Sequence, residues 1–159
     1  MPPNRLALEI SLATGLRISD VLGLRTDKVK ESKDGRLSVR QLKTGKITRV
    51  RLPNELRDRA LSLCGRLYVF EHRHDPERHR TRQAVYKDIK RAARLFRMPG
   101  NIAPHTARKA FAVEAYKRTG ELVRVQKLLQ HDSEAVTMLY AMADVLTERK
   151  QCKRGSNGA

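Results

Sequence analysis

This chain has no tryptophan, and aromatic residues make up only 4% of its 159 positions. Proteins that grip single strands or RNA loops usually offer aromatic faces on which bases stack. Their scarcity favours a reader of duplex backbone, acting through phosphate charge. Cysteine is nearly missing as well. Cys64 and Cys152 stand alone with no Cys-x-x-Cys pair, which argues against a thiol metal site and fits a reducing compartment. No apolar run approaches the ~20 residues needed to span a bilayer. Met1-Pro2-Pro3-Asn4 leads into an amphipathic stretch, not an apolar leader, so no signal peptide and a cytoplasmic location are expected. Acidic residues are few beside basic ones: 17 against 34, a formal net charge of +17.

What is present is enough apolar residue, 40% of the chain, for one domain with its own core. The basic surplus predicts a polyanionic partner, nucleic acid first and an acidic membrane surface second. Asn4 is placed to cap a first helix, with Leu6, Leu8, Ile10 and Leu12-Ala13 as its apolar surface and Gly15 as its stop. A short second helix carries Arg17, Ile18, Val21 and Leu22, with Ser19-Asp20 near its start. Residues 26–52 read as three short strands. Asp34-Gly35 is a hairpin signal, Leu37 and Val39 alternate with Ser38 and Arg40, and Thr44-Gly45 makes a second turn before Ile47 to Leu52. Lys43 sits at the mouth of that turn, and Lys46 competes with it for any role there.

Pro53-Asn54 starts a helix through about Leu63. Residues 71–80 read as a polar linker. Its His72, His74 and His79 lie among cations that repel a divalent ion, so a metal site is rejected. Residues 81–97 form an amphipathic helix with Val85, Ile89, Ala92 and Phe96 as its apolar stripe. Lys87, Lys90, Arg94 and Arg97 form a row about half a turn away, which suits a solvated face and a phosphate-tracking face equally. Pro99-Gly100 ends this helix. Pro104 opens the next, packed through Ala107, Ala110, Phe111 and Ala115, until Gly120. Leu122, Val125 and Leu129 give a further helix its buried edge. Asp132 or Ser133 can cap a last short helix leading to Tyr140. The tail from Lys150 is polar and Gly-rich and is expected to be disordered.

One stretch concentrates chemistry. Pro104-His105-Thr106-Ala107-Arg108-Lys109 puts an imidazole and a guanidinium three positions apart, on one face of a helix. That pair suits a phosphate. Leu129-Gln130-His131 and Tyr140 come next. Together, His-x-x-Arg, Leu-x-His and a Tyr nine positions on resemble the catalytic core of the tyrosine recombinases, or phage integrases. Thr14-Gly15-Leu16-Arg17-Ile18-Ser19-Asp20-Val21-Leu22-Gly23-Leu24 is similar to that family's first arginine box. Leu42-Lys43-Thr44-Gly45-Lys46 is similar to its hairpin lysine. The likeness covers roughly residues 5 to 145.

The resemblance implies a mainly helical α+β catalytic domain over residues 1–149, of the DNA breaking-rejoining type, with a small three-stranded antiparallel sheet. Arg17 and Arg108 would clamp the scissile phosphate, with His131 as a third donor. Tyr140 would attack phosphorus, leaving a 3′-phosphotyrosyl link and a free 5′ hydroxyl. His105 would help move the phenol proton, and Lys43 would protonate the leaving oxygen. Asp20 would buttress the arginines. Lys46, Lys87, Lys90, Arg94, Arg97 and Lys109 would hold double-stranded DNA. Two arginines already supply fixed positive charge, so neither a metal nor another cofactor is implied. Family members commonly carry an N-terminal DNA-binding domain that this chain is expected to lack, and they recombine as four protomers. The expected setting is bacterial or phage-encoded. Gln130 departs from the family's usual Gly and Lys109 from its frequent His. A DNA-binding module without catalysis and a type IB topoisomerase remain the alternative readings.

Overall fold

The computed structural model describes residues 2–32, 34–98 and 102–129. Chain order is α1 (Pro2–Thr14), α2 (Ile18–Leu22), α3 (Thr26–Glu31), β1 (Arg36–Arg40), β2 (Ile47–Arg51), α4 (Asn54–Leu63), β3 (Glu71–His72), β4 (Asp75–His79), α5 (Arg82–Leu95), α6 (Pro104–Thr119) and α7 (Leu122–Leu129). The chain divides into two compact units, Met1–Arg108 and Lys109–Ala159.

The first unit is built on α1. Leu6, Ala7, Ile10, Ser11 and Thr14 fall at helical spacing and are all buried, which gives α1 one inward face. That face meets α2, α4 and α5. The core continues through Leu16, Val21, Leu22, Val29, Leu37, Val39, Leu52, Val69, Phe70 and Val85. Asn4 does not cap α1. It lies inside the helix, is buried, and its Nδ2 donates to Asp88 Oδ2 of α5 at 2.8 Å. Burial of an amide requires such a partner, and here it joins the two helices.

The end of α1 sets the position of α2. Gly15 takes φ +71, the left-handed conformation that closes a helix at low cost for glycine, and its N–H returns to Ser11 O at 2.9 Å. Ser11 Oγ donates to Leu16 O at 2.7 Å. The corner between α1 and α2 is therefore tied from inside, and Arg17 is its last residue before α2.

Among the described residues, the sheet of β1 and β2 has two strands, not three. Leu37 pairs with Val50 and Val39 with Thr48 in an antiparallel register. Leu37 and Val39 point inward, as the alternation predicts. The expected first strand is instead α3. Asp27 sits in its first turn and Lys28 and Lys30 in its last, a charge order that suits the helix dipole. Only Val29 among its apolar residues gives inward packing, so six residues carried no readable period. Asp34-Gly35 accordingly links α3 to β1 rather than joining two strands.

Residues 71–80 are not a linker either. They form the antiparallel ribbon β3–β4. It is anchored beneath by Val69 and Phe70, both about 1% exposed, and closed by Arg80 N–H donating to Phe70 O at 2.7 Å. The helix after it is capped by Thr81, whose Oγ1 accepts from Ala84 N at 3.2 Å. Its apolar stripe is shorter than expected. Val85 and Ile89 are buried, whereas Ala92 and Phe96 are exposed, Phe96 to 73%.

In the second unit Ala112, Ala115, Val125 and Leu129 form a small core with Phe111 and Tyr116 against it. Ala112, not Ala110, supplies the inward position of α6. Gly120 breaks the chain at φ +67, as expected. The expected cap at Asp132 or Ser133, the helix to Tyr140, the stop at Pro99-Gly100 and the polar tail lie outside the described residues.

Candidate active site

The α1–α2 corner gathers the first group of candidate residues. Arg108, from the first turns of α6, is 5% exposed. Its Nη1 donates to the carbonyl of Gly15 at 2.5 Å, across 93 positions of sequence. Two residues beyond that carbonyl stands Arg17, half-buried, whose Nη1 donates to Gln41 Oε1. These two anchors are neutral oxygens. A neutral oxygen holds a guanidinium without itself cancelling the charge that would meet a phosphate.

Gln41 lies at the foot of the β1–β2 hairpin and is 1% exposed. It continues the inward phase of Leu37 and Val39. Its Nε2 donates to Thr48 Oγ1 at 2.6 Å, and its Oε1 also accepts from Thr44 Oγ1 at 3.0 Å. Its backbone closes the turn: its N–H donates to Lys46 O at 2.9 Å, and its carbonyl accepts from Gly45 N at 2.8 Å. Asp20, three residues along α2 from Arg17, accepts from Leu42 N at 2.9 Å through Oδ1. Asp20 was expected to buttress the arginines. Its hydrogen bond runs to the backbone of the hairpin, the element that also holds Arg17 through Gln41 and carries Lys43.

Lys43 is the next residue and is exposed on the turn; Lys46, also exposed, sits just before β2. Thus Arg17, Asp20, Lys43 and Arg108 are brought to one corner. His105 belongs to the same first turns of α6 as Arg108, but is exposed where Arg108 is buried. His131 and Tyr140 lie outside the described residues.

The basic row lies elsewhere in the first unit. Lys87 and Arg94 are exposed on α5, and Lys90 Nζ sits 5.4 Å over the Tyr86 ring, a cation–π contact. Arg97 is not part of the helix. It comes after Phe96, the C-cap, and takes φ 49. These side chains line an open depression with Leu95 and Met98, and none of Arg17, Lys43, His105 or Arg108 lines it. Lys109 is exposed on α6. Sequence reasoning missed Gln41 and Thr48. The available signal was a glutamine at an inward position of an alternating strand, two residues before the turn lysine.

Among the described residues, no group of three or more His, Cys, Asp or Glu could hold a metal ion, and no helix is long and apolar enough to cross a membrane.

The chain is 30% identical over 151 residues to tyrosine recombinase XerD of Lacticaseibacillus casei, covering 86% of this chain and 49% of that protein. It is 33% identical to XerD of Ralstonia nicotianae, with 86% and 47% covered. It is 29% identical to the probable integrase/recombinase YoeC of Bacillus subtilis, with 88% and 77% covered. The chain thus spans about half the length of the XerD relatives it matches. Among solved structures, XerH recombinase in a post-cleavage complex with a palindromic difH substrate superposes with a TM-score of 0.70 at 24% identity, over 87% of this chain and 41% of that one. A lambda integrase (75–356) dimer bound to a COC′ core site gives 0.71 at 22%, over 87% and 52%. Identities this low show the fold alone, mainly helical with small antiparallel sheets. The sequence pattern of the phage integrase family matches residues 2–146, nearly everything from α1 onward, and the chain therefore belongs to the phage integrase family.

Proposed function

We propose that this chain is the catalytic part of a site-specific recombinase that cuts and rejoins duplex DNA through a 3′-phosphotyrosyl intermediate. The observation that carries the reading is that Arg17 and Arg108 are both fixed about the α1–α2 corner, Arg17 through Gln41 Oε1 and Arg108 through the Gly15 carbonyl. A phosphodiester resists attack because its own charge repels the nucleophile, so catalysis is chiefly positioning and charge neutralisation. The two guanidinium groups receive the non-bridging oxygens, with His131 as a further donor. The phenol oxygen of Tyr140 forms a bond to phosphorus as the bond to the 5′ oxygen breaks. His105 takes part in moving the phenol proton, since an unperturbed phenol with a pKa of about 10 supplies little phenolate at neutral pH. Lys43, carried on the braced hairpin, gives its proton to the leaving 5′ oxygen. The phosphotyrosyl bond conserves the phosphodiester energy, so rejoining runs the same steps backward.

Double-stranded DNA is the substrate on this reading. Lys46, Lys87, Lys90, Arg94, Arg97 and Lys109 contribute to its backbone contacts, and strand exchange takes four protomers on DNA. The XerH and lambda integrase structures are themselves complexes with DNA sites, and a net charge of +17 suits that partner. The test is a nicked suicide duplex that traps covalent protein–DNA product. The wild-type chain forms an adduct that Tyr140→Phe abolishes. Binding without any adduct overturns the assignment.

A further inference from the structure

The proposed chemistry asks two groups to act together: a clamp at the N-cap of α2 and a proton donor on a hairpin turn. Elements that are far apart in sequence keep a shared geometry only if something joins them. In this chain α2 and the hairpin are joined by two side-chain bonds in step. Arg17 bonds the side chain of Gln41, and Asp20, three residues on, bonds the backbone of Leu42. The next residue is Lys43. The N-cap and the first turn of α2 on one side thus meet consecutive positions on the other.

Gln41 is the centre of this joint. A single buried amide oxygen accepts from Arg17 and from the Thr44 hydroxyl of the turn itself. The amide nitrogen is held by Thr48 Oγ1 on β2, which orients the oxygen toward α2. The backbone of the same residue closes the turn through Lys46 O and Gly45 N. Moving the turn therefore moves the acceptor that holds Arg17, and the reverse. Glutamine suits the task because it is neutral. A carboxylate here would neutralise the clamp, and an apolar side chain would leave the guanidinium and the Thr48 hydroxyl without this partner.

We infer that Gln41 is a positioning residue for the reaction: through Arg17 on one side and the Thr44 turn on the other, it sets Lys43 in register with the arginine clamp. This rests on the recombinase reading above and deepens it. It also makes a distinction that a merely structural role would not produce. A thiol has a pKa near 8.5 and leaves as thiolate without a proton. A suicide duplex with sulfur replacing the bridging 5′ oxygen therefore bypasses the lysine's proton transfer but still needs the clamp.

The experiment measures the rate of adduct formation on the oxygen and sulfur duplexes for the wild-type chain, Gln41→Met, Thr44→Val, Lys43→Ala and Arg17→Ala. Misplacement by about an ångström costs on the order of 10²-fold in rate. Gln41→Met is expected to lose about that much on the oxygen duplex and to regain at least about ten-fold of it on the sulfur duplex, the remainder being the share that acts through Arg17, whereas Lys43→Ala comes within about five-fold of wild type. Arg17→Ala stays slow on both. Thr44→Val, altered on the half-buried turn rather than in the core, shows the same rescue with a smaller initial loss, and decides the matter if Gln41→Met does not fold. Equal losses on both duplexes, or no loss on either, overturn the role given to Gln41. A wild-type chain that forms no adduct with either duplex overturns the recombinase reading and this inference with it.

Discussion

Arg108 shows how a single side chain can be structural and chemical at once. Its guanidinium holds the Gly15 carbonyl from 93 positions away while the rest of the fork remains planar and charged. Lysine cannot reproduce both. Arg108→Lys keeps the charge but loses the two-pronged geometry, and one lost donor at a developing oxyanion costs about 10²–10³ in rate. Adduct formation on the nicked duplex is expected to fall by about that factor while thermal unfolding shows a folded chain. A variant within about three-fold of wild type would remove Arg108 from the clamp. At this scale sequence reading reached the residues whose chemistry is conspicuous, Arg17, Lys43, His105 and Arg108. It did not reach Gln41, because an uncharged amide carries no signal until its partners are seen. Nor did it show that the Asp20 carboxylate bonds the Leu42 amide.

Among the elements, the hairpin is where backbone conformation matters most. Gly35 takes φ +75, and a Cβ there would lie 2.2 Å from Leu52 O, the carbonyl of a residue whose own N–H donates back to Gly35 O at 2.8 Å. Gly45 takes φ +67 with nothing within 4 Å of the added atom. Gly35→Ala meets both strain and a clash with backbone, and is expected to cost at least about 2–3 kcal/mol. Gly45→Ala meets strain alone, about 1 kcal/mol. Denaturant unfolding of the two variants side by side checks the ranking, and equal losses would refute it. The elements that were legible, α1, α4, α5 and α7, have apolar positions at helical spacing or a marked start and stop. α3 was not, because Val29 is its only inward apolar residue. The ribbon β3–β4 was not, because its strands are polar and its anchor, Val69 and Phe70, lies just before it.

Across the first unit as a whole, ion pairs supplement the core. Glu9 on α1 accepts from Arg5 at 2.8 Å and pairs with Arg59 of α4 at 2.5 Å. Burial alone would raise its carboxyl, but the hydrogen bonds from Arg5 and Arg59 outweigh that and hold it below its ordinary value of 4.5. A carboxyl lowered in the folded state adds stability that is fully present above 4.5 and is lost as pH falls through the folded value. Both partners are partly exposed, so solvent screening limits the gain to about 1 kcal/mol or less. Wild type should therefore lose melting temperature faster than Glu9→Gln on acidification below pH 4.5, and parallel curves would refute the link. The joint between α2 and the hairpin has a wider consequence. Its two bonds grip the foot of the hairpin, at Gln41 and Leu42, whereas a side chain added at Gly45, on the tip, would meet open space. Bulk and length at the tip are thus different matters. Descendants of such a chain can hang a new group on the tip without disturbing the footing, whereas a change in its length reaches back through Gln41 to the clamp.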